Sequence, residues 1–250
     1  MQQNITDSEH LLADYFASLG YKAGSDFLYE VVDLSKPTRP DFRFDGLGLV
    51  FDIKEFDGSG KEDQKLLRGN TAQPIDGNQG VRSKIDQFSK QVKPYKEEYS
   101  CNLVLYRAGG LAANLETFAL ASALFGDERL SFPKEGESAT LIYKGNAKLQ
   151  ANKNTRIASV SILEITNPGV TRAHARYKEL YKDQMPAGHF LEFIRAYDIF
   201  DQPDIIRLRT ILNPYASKPI PSSFFAGKND EVYSVDLATG KMERLDTSKG

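Results

Sequence analysis

Cysteine and histidine are scarce in this chain, with one Cys and three His among 250 residues. A single Cys closes no intramolecular disulfide and no Cys-rich zinc site, and the scattered His10, His174 and His189 leave little for a soft-metal centre. The disulfide-stapled secreted class is excluded, and a reducing cytoplasm is the compartment that fits. No apolar run approaches the ~18 residues of a membrane span, and the opening MQQNITDSEH lacks a basic-then-apolar signal, so neither a membrane partner nor export is expected. Internal repeats and low-complexity tracts are missing too, and Ala108-Gly109-Gly110 has neither the spacing nor the lysine of a phosphate loop. A net charge of −2 points to no partner by itself.

What is present is ordinary in amount and uneven in placement. Hydrophobic residues make 40% and charged residues 26%, the composition of a globular chain of one to two domains. Residues 1–60 hold 11 acids and 5 bases, whereas residues 144–182 hold 8 bases and 2 acids, and residues 65–96 hold 7 bases and 2 acids. An acidic part beside two basic ones suits a site that keeps metal ions in carboxylates while gripping a polyanion; solvated charged faces give the same pattern.

Helical periodicity over residues 6–19 (Leu11, Leu12, Tyr15, Phe16, Leu19, then Gly20) predicts an amphipathic helix, opened by the capping-box pattern Thr6-x-x-Glu9. Three strands follow, over 27–34, 41–44 and 47–54, with Asp45-Gly46 as a tight turn between the last two. Residues 57–80, with five Gly and one Pro, form a loop too long for mere connection and suited to a lid over substrate. Val81, Ile85, Phe88 and Val92 predict a helix to about Lys93, ended by Pro94, and the apolar run 101–106 a strand covered on both faces. Further on, helices are expected over 114–125, 172–182 and 190–199, strands over 140–143 and 157–164, an extended Pro-rich stretch over 213–221, and a hairpin over 232–245.

The segment Arg39 to Phe56, RPDFRFDGLGLVFDIKEF, is the most informative. Alternate residues of a strand share a face, so Asp52 and Lys54 lie together, opposite Phe51, Ile53 and Glu55. Pro40 starts the preceding strand at Asp41, and the turn at Asp45-Gly46 folds Asp41 back alongside Asp52. Two carboxylates and one ammonium then converge. Mg²⁺ (or Mn²⁺) takes oxygen ligands and keeps some of its waters, so Asp41, Asp52 and the carbonyl of Ile53 suit one or two ions, while Lys54 orients or deprotonates a water or offsets charge growing on a phosphate.

Through Pro40-Asp41 and, eleven residues after that Asp, Asp52-Ile53-Lys54, the segment resembles the PD-(D/E)xK nuclease superfamily. The order helix, strand, hairpin, strand, helix, strand extends the resemblance over residues 5–107. It implies a restriction-endonuclease-like α/β core, a mixed central sheet flanked by helices, here over residues 1–110, with 111–250 a C-terminal continuation of the same domain or an accessory region. It also implies a metal-proximal Glu9 in the first helix, a residue the capping box equally explains, and accessory polar residues on the helix after the lysine strand, where Arg82, Gln87 and Lys90 stand. Of two D-x-K triplets, only Asp52 to Lys54 follows a Pro-Asp on a predicted hairpin; Asp63 to Lys65 lies in the long polar loop, and nothing follows Pro203-Asp204.

Arg82 and Lys84 suit phosphate contact, as do Arg172, Arg176 and Tyr177 around His174, although plain helix surfaces explain Gln87, Lys90 and the 172–182 segment as well. Cys101 reads as core. The expectation is a divalent-metal-dependent endonuclease acting on DNA ahead of RNA, in restriction, repair or defence. The alternative is an inactive nucleic-acid-binding or assembly module docking a protein partner through its C-terminal half, and a homo-oligomer is a further expectation.

Overall fold

The computed structural model describes residues 6–29, 38–57, 77–95, 97–108, 117–131, 140–166, 172, 176–177, 179–180, 205–227, 229–236 and 241–246. Helix α1 (Asp7–Ser18) begins where Thr6 and Glu9 cap each other reciprocally and ends ahead of Gly20, whose φ of +92° suits a residue without a side chain. Its buried stripe of Leu12, Tyr15 and Phe16 sets the face it turns inward.

Three strands follow: β1 (Leu28–Tyr29), β2 (Phe42–Phe44) and β3 (Leu49–Asp57), each antiparallel to the next. The β2–β3 connection is longer than a two-residue turn. A 3-10 turn over Asp45–Leu47 is closed by Gly48 at φ +63°, and Tyr99 donates to Asp45 Oδ1 at 2.8 Å, so the left-handed residue is Gly48 instead of Gly46. Phe44 pairs with Leu49 and Phe42 with Phe51.

Helix α2 (Gly77–Gln91) then carries the chain to β4 (Ser100–Ala108), which pairs parallel to β3. The expected 81, 85, 88, 92 stripe is fully buried, against Val50 of β3 and Cys101, Leu103 and Leu105 of β4. Helix α3 (Thr117–Phe125) follows, then a separate antiparallel ribbon of β5 (Asp127–Ser131) and β6 (Thr140–Lys144). The main sheet continues with β7 (Ile157–Thr166), parallel to β4, then β8 (Ile205–Leu212), β9 (Glu231–Val235) and β10 (Met242–Leu245). Its order is β1-β2-β3-β4-β7-β8-β9-β10, with β8 and β9 parallel and β9 and β10 antiparallel. The protein is thus α/β, with one mixed eight-stranded sheet and, among the described residues, three α-helices.

The two sides of the sheet differ. On the side opposite α2, the Phe16 ring lies 4.9 to 6.2 Å from those of Phe27, Phe42, Phe44, Phe51 and Phe224, mostly edge-on or tilted, arrangements that favour aromatic pairs. Cys101 is buried core, as expected.

The chain forms two compact units, Met1–Leu163 with Leu208–Gly250, and Glu164–Arg207. In the second, Arg207 pairs with Glu164 at 2.8 Å and Tyr177 is buried. The expected helix over 190–199, residues 58–76 of the expected lid, the second D-x-K triplet, His174, His189 and the 238–240 turn lie outside the described residues. Residues 77–80 of that loop region belong to α2. Two strands, β5 and β8, were not expected from the sequence. Among the described residues no helix is long and apolar enough to cross a membrane.

Candidate active site

Continuing the Phe42 to Phe51 register by one residue sets Asp41 opposite Asp52. Asp41 Oδ2 accepts the Ile53 amide at 2.7 Å, which ties the residue just before β2 to the middle of β3. The side chain of Asp52 is wholly buried: Oδ1 accepts Gln91 Nε2 at 2.5 Å, and Oδ2 lies 2.5 Å from Lys54 Nζ. The two carboxyls are within hydrogen-bonding reach of each other.

Burial pushes the Asp41 carboxyl up to about 8, with the Asp52 charge adding to the rise, the Ile53 amide and Lys54 opposing it, and Glu9 adding a smaller increment. Burial raises Asp52 as well, against the pull of Lys54 and Gln91. Like charges in a poorly solvated place cannot both ionise cheaply, so the pair retains a proton unless a cation replaces it. Among the described residues Lys54 is the cation that acts on both Asp41 and Asp52, while Glu9 adds to the negative charge felt at Asp41.

Glu9 has the expected capping role and lies close enough to Asp41 for its charge to act there. Its Oε2 accepts the Thr6 amide at 2.6 Å, completing the capping box, and its charge is felt at Asp41. Among the described residues no three or more His, Cys, Asp or Glu side chains form a metal cage. The donors that the described residues present there are hard oxygens: the two carboxylates and neighbouring carbonyls. Such a set, short of positive charge, fits Mg²⁺ or Mn²⁺ completed by water and phosphate, and gives a soft metal nothing.

Helix α2 contributes through a residue the sequence reading passed over. Gln91 donates from one amide nitrogen to both Asp52 Oδ1 and the Arg39 carbonyl, the latter at 2.8 Å. Thr38 Oγ1 donates to the Gln91 carbonyl at 2.5 Å, and the Tyr95 hydroxyl to the Thr38 carbonyl at 2.7 Å. The end of α2 thereby clamps the 38–40 segment that delivers Asp41. Because α2 runs back along β3, its beginning lies over Phe56, with Lys84 Nζ 5.8 Å from that ring, and its end over Asp52.

The other expected helix residues separate. Lys84, Gln87 and Gln91, at spacings of three and four, share the flank toward Asp52 and Lys54, and Gln87 is exposed. Lys90 is exposed on the outward ridge. Arg82 corrects the expectation: it is buried, with Nη2 donating to the Ser122 carbonyl of α3 at 3.4 Å, on the flank away from Asp52. Arg172 and Arg176 are exposed and helical in the other unit, and Arg176 pairs with Glu179 at 2.6 Å. No family model matches the chain, nor does any curated protein or solved structure.

Proposed function

We propose that the protein is a divalent-metal-dependent nuclease with a PD-(D/E)xK-like core spanning residues 1–110. The observation that carries the reading is the meeting of the half-buried Asp41, just ahead of β2, with the buried Asp52 of β3, and Lys54 on Asp52. The element order α1, β1, β2, β3, α2, β4 supports it, as does the parallel β3–β4 pair joined across α2.

Asp41, Asp52 and the Ile53 carbonyl are the groups that would hold Mg²⁺ or Mn²⁺. The ion, when bound, neutralises phosphate charge and makes water a nucleophile near neutral pH. The protein's own part is orientation. The Ile53 amide fixes one Asp41 oxygen, and Gln91 fixes one Asp52 oxygen. Lys54, partly exposed beside a buried carboxylate, presents an ammonium at the rim to hold water by hydrogen bond or to balance charge building on the phosphate. DNA stands ahead of RNA as substrate through the family resemblance alone.

The test is incubation of the purified protein with supercoiled plasmid, linear duplex, single-stranded DNA and RNA, each with Mg²⁺, Mn²⁺ or EDTA, beside Lys54→Ala. Metal-dependent cleavage that the variant loses is the expected result. Full cleavage by Lys54→Ala overturns the assignment, and wild-type binding without cleavage of any substrate favours the inactive binding module.

A further inference from the structure

The two basic stretches at 65–96 and 144–182 are remote in sequence, yet parts of them are packed together. On the flank of α2 away from Asp52, Asp86 is paired with Lys148, Ser89 Oγ donates to Asn154 Oδ1 at 2.5 Å, and Arg156 Nη1 donates to the Ser89 carbonyl at 3.1 Å. Asn154 also donates to the Lys148 carbonyl at 2.9 Å, and its backbone is held at φ +56°, a left-handed conformation that Asn tolerates better than most residues. The 147–156 loop is therefore fastened to α2.

The fastening holds the loop that carries Lys148, Lys153 and Arg156 against the turn of α2 just ahead of Lys90 and Lys93; Lys90, Lys93 and Lys153 are exposed. Like charges side by side repel, so a loop pinned in this position raises the local positive potential instead of dispersing it. A helix is about 10 Å across. A strand advancing about 3.4 Å per nucleotide thus crosses α2, from the Asp52 flank to the loop flank, in about three nucleotides.

We infer that the outward face of α2, together with the 147–156 loop, is the track that holds the nucleic-acid backbone leading into the Asp41, Asp52 and Lys54 site. The inference rests on the nuclease reading for its ligand and deepens it by assigning Lys90, Lys93 and Lys153 as phosphate contacts. Base identity is not read there, because ammonium groups meet phosphates without regard to sequence.

The experiment is fluorescence anisotropy of a labelled duplex oligonucleotide in EDTA, where no cleavage intervenes, as a function of KCl. Lys90→Glu/Lys93→Glu is compared with Lys22→Glu/Lys241→Glu, a pair equal in charge change at other exposed lysines. The first pair is expected to weaken binding at least about tenfold at 0.1 M salt and to reduce the slope of log affinity against log salt by about 2, the second to cost no more than about threefold. Lys153→Glu, from the loop side, is expected to weaken binding by itself, which keeps the test decisive should the helix pair unfold. Equal losses in the two pairs, no loss in the first, or no wild-type binding overturns the track. The plasmid assay separates the two readings. Metal-dependent cleavage with indifferent Lys90 and Lys93 retains the nuclease and removes the track, whereas track-dependent binding without cleavage removes the nuclease and retains the track.

Discussion

Two aspartates buried in the same compact unit are treated in opposite ways. Asp230 is surrounded by donors: its Oδ2 accepts the Tyr15 hydroxyl at 2.6 Å and the Gly227 amide at 2.9 Å, and its Oδ1 accepts the Leu208 amide at 2.9 Å. It fastens α1 to the middle of β8 and to the 227–230 turn. Asp52 is less exposed still, yet meets one amide, one ammonium and a second carboxyl, that of Asp41. A fold spends neutral donors on a carboxylate that only holds structure together. Where it sets carboxylates against each other, a cation is the partner that the proposed nuclease reading supplies, and on that reading the difference separates structural from functional acids.

The sharpest break of this comparison is exchange of each acid for its amide. Asp52→Asn is expected to lower cleavage at least a thousandfold, about 4 kcal/mol of transition-state stabilisation, without unfolding the protein. Asp230→Asn is expected to leave the site chemistry intact but cost about 3 kcal/mol of stability, because an NH₂ group would face donors in place of an acceptor. Urea denaturation beside the plasmid assay measures both. Equal behaviour of the two variants would abolish the distinction.

The two regions also separate by pH. Below the ordinary value of 3.8, Asp41 is protonated folded and unfolded alike and contributes nothing. Between 3.8 and about 8 the folded chain keeps a proton that the unfolded chain releases, so stability falls as pH rises, and above about 8 the loss is complete. The slope from one such group is up to about 1.4 kcal/mol per pH unit. Metal-free protein is thus expected to melt lower at pH 8 than at pH 5.5. Asp41→Asn should flatten that dependence, and Mg²⁺ should raise the midpoint more at pH 8 than at pH 5.5. Calorimetry across this range checks the sign.

A smaller effect is expected at Gln91. Gln91→Ala leaves both carboxylates in place but frees Asp52 Oδ1 and the Arg39 carbonyl, and loss of a hydrogen bond to a charged group is worth about 1.5 to 3 kcal/mol. Cleavage is expected to drop about ten- to a hundredfold, a loss recovered in part by Gln91→Asn only if the amide, and not the packing, matters.

That Asp41 and Asp52 share a face of the sheet was legible because strand alternation assigns faces whatever the turn. Their register was not: a two-residue turn at Asp45-Gly46 would pair Phe44 with Leu47, and the four-residue connection ending at Gly48 shifts that pairing by two, preserving the face while moving Asp41 from opposite Val50 to opposite Asp52. The stripe of α2 was equally plain, but not Gln91. Both flanks of a stripe look alike in sequence, and only the run of α2 back along β3 brings its last residue to Asp52. Strand β8 was readable in the alternation of Arg207 and Arg209 with the buried Leu208 and Thr210. The charged β5, DERLS, has little strand character of its own and is defined by its pairing with β6.

Glu9 gives the smallest effect and the finest probe of the boundary between structural and functional acids. Its carboxylate closes the capping box on Thr6, and its charge adds to the rise at Asp41. Glu9→Gln keeps an oxygen for the Thr6 amide, because Gln also completes capping boxes, and removes only the charge. If capping is its whole contribution, Glu9→Gln changes neither stability nor cleavage, while Glu9→Ala costs about 0.5 to 1 kcal/mol of stability. If its charge serves the site, Glu9→Gln lowers the pH at which Asp41 loses its proton and shifts the low-pH limb of the cleavage profile the same way, with the melting point at neutral pH unchanged or slightly raised. The second outcome is expected, since Glu9 is felt at Asp41 in addition to its cap, and a pH profile superimposable on the wild type would return Glu9 to the structural class beside Asp230.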